Sequence, residues 1–181
     1  GAIVISHHGQ DFARAVASSS RPVVFVGDPG VPGLAYVDVD HVHSAATATK
    51  HLLRRGARTI GTVTGPMDMS AGIERLRGFQ QAMAQAGRSG HLIAEGDFTF
   101  SGGESATFDL LSHHPEIDAL FVASDLMASG ALRAAERLGR RVPDDLLLVG
   151  FDDSLIATQS IPKLTTMENR PDVLARTAGQ M

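Results

Sequence analysis

The residues able to do chemistry fall in short polar stretches directly after apolar runs. Ser6, His7 and His8 follow the first such run, and Gly27 and Asp28 follow the second. Thr64 to Arg75 follows the third, Ser124 and Asp125 the fourth, and Phe151, Asp152 and Asp153 the fifth. Phe98 sits in the run 96–100, just before a helical pattern. Carboxylates and an arginine form bidentate hydrogen bonds to vicinal hydroxyls, and an aromatic face packs on the C–H surface of a sugar ring. This set suits polyol binding better than catalysis.

Each residue also has a plainer reading. Asp152 and Asp153 could form a paired acid, since close carboxylates split their pKa values. Consecutive loop residues usually point apart, however, and Asp commonly caps a helix. Arg75 read alone is as well explained as a surface residue. His41-x-His43 and the pairs His7–His8 and His113–His114 hint at metal, but no third ligand falls at a recognisable spacing. The run Ser18–Ser19–Ser20 lacks a Gly-x-Ser-x-Gly elbow and reads as a loop. With no Walker loop and no Gly-x-Gly-x-x-Gly, neither metal nor nucleotide cofactor is expected.

Parallel strands must position these residues. The candidates are 2–5, 23–26, 60–63, 119–123 and 146–150, short and apolar on both faces as buried parallel strands are. Between them run amphipathic patterns. Ala45, Ala48, Leu52 and Leu53 end at Gly56, and Ile73, Leu76, Phe79, Met83 and Ala86 end at Gly87. Met127, Ala131, Ala134 and Leu138 stop at Gly139, and Ala106, Leu110 and Leu111 mark a fourth helix. Strand–helix alternation predicts an α/β fold with a mainly parallel sheet covered on both faces. In such sheets ligands bind beyond the carboxyl ends of the strands, where the polar stretches lie.

Composition narrows the function classes. The 181 residues are 43% hydrophobic and 20% charged, which suits a globular protein. No apolar run reaches the roughly 18 residues of a membrane helix, and no leader opens the chain. The absence of cysteine removes disulfides, thiolate metal sites and cysteine nucleophiles, and fits a reducing compartment. A net charge of −4 offers no basic stripe for phosphates. The clusters Arg54/Arg55/Arg58 and Arg137/Arg140/Arg141 lie at helix C-termini, where cations suit the dipole.

Six segments in order then resemble the LacI/GalR family of bacterial repressors. They are HLLRRGARTIGTVTGP (51–66), RLRGF (75–79), EGDFTFSGG (95–103), SDLMASGAL (124–132), RVPDDLLLVGFDD (141–153) and PKLTT (162–166). The resemblance implies a periplasmic-binding-protein-like type I fold: two Rossmann-like parallel-sheet subdomains, three hinge crossings and an effector in the cleft. On this pattern residues 1–55 and 170–181 form an incomplete first subdomain, 58–154 the second, and 155–169 hold hinge crossings, with another near 55–58. The family's effector contacts carry over onto Arg75, Phe98, Ser124 and Asp152, with His43 and Asn169 on a looser match and Ser6 facing them from the first lobe. Ser124 departs from the usual asparagine, and His43 from an acidic or small residue.

The resemblance further implies a cytoplasmic, non-enzymatic sensor of a sugar-like or nucleoside-like effector. It would act as a homodimer on operator DNA through a helix-turn-helix outside this chain, with no membrane contact. The helix-turn-helix, first strands and closing strand lie outside 1–181, which reads as a fragment. A periplasmic sugar-binding protein of a transporter is the alternative, and a flavodoxin-like enzyme a more distant one.

Overall fold

A computed structural model describes residues 1–5, 8–19 and 21–181. Two parallel sheets organise the chain. The first holds β1 (Ala2–Ile5), β2 (Val23–Val26) and β3 (Ala35–Val37) in that order, with α1 (Asp11–Ala17) between the first two in sequence. The second holds β4 (Ile60–Thr64), β5 (Ile93–Glu95), β6 (Ala119–Val122), β7 (Leu147–Asp152) and β8 (Thr165–Glu168), in the order β5-β4-β6-β7-β8. Every pairing is parallel.

The second sheet is covered on both faces. Its helices are α2 (His41–Arg54) and α3 (Ser70–Gln85) on one side, and α4 (Phe100–His113) and α5 (Asp125–Arg137) on the other. Alternation along β6 shows how the apolar run serves both. Ala119 and Phe121 join a core with Ala48, Leu52, Phe79 and Met83, while Leu120 and Val122 join one with Leu110, Leu111, Met127 and Ala131. At Gly130 on α5 a Cβ would collide with the Phe100 carbonyl and the backbone of Glu104, so this glycine lets α4 and α5 touch. The short α6 (Leu155–Gln159) packs on α5, and α7 (Pro171–Gln180) packs on β2 and β3.

Two features differ from the sequence reading. Residues 41–54, expected in the first subdomain, form α2 on the second sheet, where Ala45, Ala48 and Leu52 are buried against Phe79, Phe121 and Phe151. The first passage between sheets is therefore at 38–40, between β3 and α2, and not near 55–58. Likewise, 155–169 is not simply a run of hinge crossings. It contains α6 and β8, and β8 pairs with β7 from Val149↔Thr165 to Asp152↔Glu168. The second passage follows at 169–170, before α7. Among the described residues the chain thus passes between the sheets twice. The strands β3, β5 and β8 were absent from the sequence reading, each being short with exposed positions.

No helix among the described residues is long and apolar enough to cross a membrane.

Candidate functional site

The strand order places β4 beside β5 on one edge and β6 on the other, so the chain reverses its direction of travel across the sheet at β4. Crevices form at such switch points, beyond the carboxyl ends of the strands. A cavity of about 390 Å³ lies there, facing the first sheet. Ile5, Val26, Gly27 and Asp28 line it from the ends of β1 and β2. Arg75, Phe98, Ser124 and Asp152 line it from the second sheet's loops and helices, and Asp38, His41 and Asn169 from the passages and the start of α2.

Arg75 is the centre of the site. It sits in the second turn of α3 and is 5% exposed, against the default of an arginine in water. Its guanidinium carbon lies 3.7 Å from the centroid of the buried Phe151 ring and 5.6 Å from that of Phe98. Nη1 donates to the Ala123 carbonyl at the end of β6, and Nε donates to Nδ1 of His41 at 3.3 Å. Nη1 also stands 3.7 Å from Asp152 Oδ1, a loose ion pair. Among the described residues no protein acceptor takes Nη2. Burial brings the Arg75 pKa down to about 10, with Asp152, Asp38 and Asp125 opposing the shift, so the group is charged at neutral pH.

Asp152 ends β7. Burial raises its pKa, while the Arg75 charge and a hydrogen bond from Asn169 pull the other way. Asn169 Nδ2 donates to Asp152 Oδ1 at 3.3 Å, and the buried Asn169 Oδ1 has no partner among the described residues. Among the described residues Thr107 Oγ1 is the other buried polar side-chain atom left unpaired in this way.

Backbone strain gathers at the same place. Phe98, Asp152 and Asp153 have φ of 62°, 119° and 53°, the described non-glycine residues in the left-handed region. Such conformations persist where surroundings over-determine them, and they cluster at binding sites. Here the surroundings can be named. Asp125 Oδ2 accepts from Ser154 N at 2.8 Å and Oδ1 from the Thr166 hydroxyl at 2.6 Å, which pins the loop after β7. Asp97 Oδ1 accepts from Thr99 N and its hydroxyl at 2.9 and 2.7 Å, which folds the chain around Phe98; these bonds, the hydroxyl's first, hold the Asp97 pKa down. The Phe98 ring lies on Gly65, where a Cβ would occupy the same space.

Of the residues expected from sequence, Arg75, Phe98, Ser124, Asp152 and Asn169 come together around this cavity. Ser124 is buried and also caps α5, accepting from Met127 N at 3.2 Å. His43 does not join them: it is exposed on α2, and its N–H donates to the capping carboxylate of Asp40 at 2.8 Å. The cap sets the helix phase so that His41, two residues earlier, faces the cavity. Ser6 lies outside the described residues.

His41 and Asp38 were not singled out as ligand-site residues in the sequence. Asp38 Oδ1 is 3.0 Å from His41 Nε2 and accepts from Val39 N at 2.8 Å, while Oδ2 accepts from Asp28 N at 2.9 Å. Burial pushes the Asp38 pKa up, but the His41 hydrogen bond and charge and the two amides outweigh it and leave it lowered. The signal available in sequence was the stretch Asp38 to His41, with a carboxylate three residues before a histidine at a helix start.

The two lobes touch at the cavity rim. Gly9 N donates to Asp68 O at 3.1 Å, His8 Nδ1 lies 3.1 Å from Asp68 Oδ1, and the Ser70 hydroxyl donates to Asp28 O at 2.8 Å. Among the described residues no three side chains could hold a metal ion.

A family profile described as a periplasmic binding protein-like domain matches residues 49–181. The chain is similar to the HTH-type transcriptional regulator CelR of Thermobifida fusca, 39% identical over 97% of this chain and 54% of that protein. It is similar to the ribose operon repressor of Halalkalibacterium halodurans, 36% identical over 68% of this chain and 37% of that protein. Its structure resembles that of a transcriptional regulator CelR–cellobiose complex, with a TM-score of 0.93 and 37% identity over 99% of this chain and 57% of that one. The chain spans about half the length of the first of these relatives and less of the second.

Proposed function

The chain belongs to the periplasmic-binding-protein-like domain family, in the form found in LacI-type regulators, and on that premise we propose that it senses a neutral, hydroxyl-rich ligand such as a short saccharide. The observation that carries this reading is Arg75 set against Asp152 on an aromatic floor. The guanidinium offers Nη2 and the carboxylate its second oxygen, a donor–acceptor pair for adjacent hydroxyls, while Phe98 offers a face for the ring.

Charge argues for a neutral ligand. Asp28, Asp38 and Asp152 line the cavity against the single guanidinium of Arg75, so a sugar phosphate would meet excess negative charge. We read the role as binding without chemistry: among the described cavity residues the Ser70 hydroxyl donates to the Asp28 carbonyl and the Ser124 hydroxyl caps α5, so neither is paired with a base. Ligand held between the lobes favours their closed arrangement, and it shifts the equilibrium only by its preference for that state.

In the whole protein we place this module in a cytoplasmic homodimer that acts on operator DNA through a helix-turn-helix outside residues 1–181. The relative described as HTH-type supports that reading over a transport protein. Isothermal calorimetry with cellobiose and with glucose 6-phosphate tests the ligand class. Cellobiose should bind unchanged in composition, the phosphorylated sugar should not, and Asp152→Ala should weaken binding by about 10- to 100-fold while the protein stays folded. Tighter binding of the phosphorylated sugar, or release of glucose from cellobiose, would overturn the proposal.

A further inference from the structure

Among the described residues that line the cavity Arg75 is the one cation, and what holds it in place therefore decides what the cavity can bind. An arginine Nε–H can only donate. Its partner His41 Nδ1, at 3.3 Å, must then carry a lone pair, which leaves the ring proton on Nε2, 3.0 Å from Asp38 Oδ1. The ring has little freedom to do otherwise. His41 is 3% exposed, and its centroid is 5.7 Å from that of Phe151, the ring that also floors Arg75. Asp38 belongs to the passage between the sheets, and it also accepts from the amides of Val39 and Asp28, the latter on the loop after β2. An unbroken line of hydrogen bonds thus runs from the first sheet, through Asp38 and His41, to the ligand-facing guanidinium of the second.

We propose that His41 is a positioning residue: in its neutral Nε2–H form it fixes the Arg75 guanidinium and ties ligand engagement there to Asp38 in the passage between the lobes. The inference rests on the cavity being the ligand site. A doubly protonated ring offers Arg75 no acceptor and places a second positive charge against the guanidinium. The groups facing the ring are Asp38 from the passage, Arg75 and Glu74 from α3, and Asp152 behind Arg75, with Asp28 and Asp40 beyond Asp38. The bond from Arg75 and the bond to Asp38 thus require the same tautomer of the ring.

Two measurements on the full-length protein test this. In long-range proton–nitrogen spectra of the ligand-free protein near neutral pH, the His41 ring should be the neutral Nε2–H tautomer, assigned by its loss in His41→Gln. A ring protonated on Nδ1, alone or with Nε2, would overturn the proposal. In calorimetry with cellobiose, His41→Phe should lose about tenfold or more in affinity, the worth of one charged hydrogen bond. His41→Gln, which offers both an acceptor and a donor, should stay within about threefold of wild type. Equal losses in Gln and Phe would overturn it. If wild type ignores cellobiose altogether, the ligand reading fails, and the ring's tautomer still decides the positioning role.

Discussion

The two sheets contribute to the cavity in opposite ways. Every residue of β4 and of β6 is buried, whereas β1 is largely exposed, with Ile3 at 47% and Ile5 at 66%. The charged chemistry comes from the buried side, where Arg75, Asp152 and Phe98 are held by Phe151, Ala123, Asp125 and Asp97. The exposed side contributes mostly apolar surface and backbone from Ile5, Val26 and Gly27, with Asp28 as its carboxylate. Precise orientation of a guanidinium and a carboxylate needs side chains that cannot relax, and a doubly covered sheet supplies that.

The contrast can be tested by damaging each half in turn. The largest effect should come from Phe121→Ala, which removes a fully buried ring from the second sheet's core and should cost about 3–5 kcal/mol in urea unfolding. Ile5→Ala on the exposed strand should stay within about 0.5 kcal/mol in the same assay. Comparable losses at the two positions would erase the contrast. Next comes Gly65→Ala, whose methyl would displace the Phe98 ring. Removing that aromatic contact should weaken cellobiose binding by about 2- to 12-fold, as judged from about 0.5–1.5 kcal/mol for ring contacts, with folding intact by circular dichroism.

A smaller effect is expected at the rim. Asp68→Ala breaks the exposed pairing with His8 but leaves the backbone bond from Gly9, so affinity should fall less than about fivefold in the same calorimetry. The smallest concerns Asp145, ahead of β7, whose pKa is held down to about 2 first by the Arg141 side chain and then by its amide. A lowered acid stabilises the fold above its unfolded value near 3.8, and that contribution disappears as pH falls through 2. Asp145→Asn should therefore lower the midpoint of urea unfolding slightly at neutral pH and not at all near pH 2. A large loss would mean that surface ions, and not packing, make the second lobe stiff.

The contrast also explains what the sequence revealed. Strands apolar on both faces, such as 60–63 and 119–122, declare themselves because a covered sheet demands it. The edge strand β8, Thr165–Glu168, reads as polar because it is half-exposed, and its pairing with β7 is set by tertiary contacts. Ala45, Ala48 and Leu52 show that α2 must bury a stripe, but periodicity does not say which sheet receives it, and the lobe boundary was misplaced for that reason. Arg75 and Asp152 were legible as polar residues near strand ends. Choosing His41 over His43 required the helix phase set by the Asp40 cap, which a pattern with one-turn resolution does not supply.

The two passages at 38–40 and 169–170 have a mechanical meaning. Two points fixed on both bodies define a line, and a rigid body pinned at two points keeps one rotational freedom about it. Each passage within residues 1–181 is only two or three residues long, and backbone bends at its dihedrals far more readily than it lengthens, so rotation about that line is the softest motion these two passages allow. A ligand that spans the cleft would act chiefly on that rotation, in proportion to its preference for one arrangement.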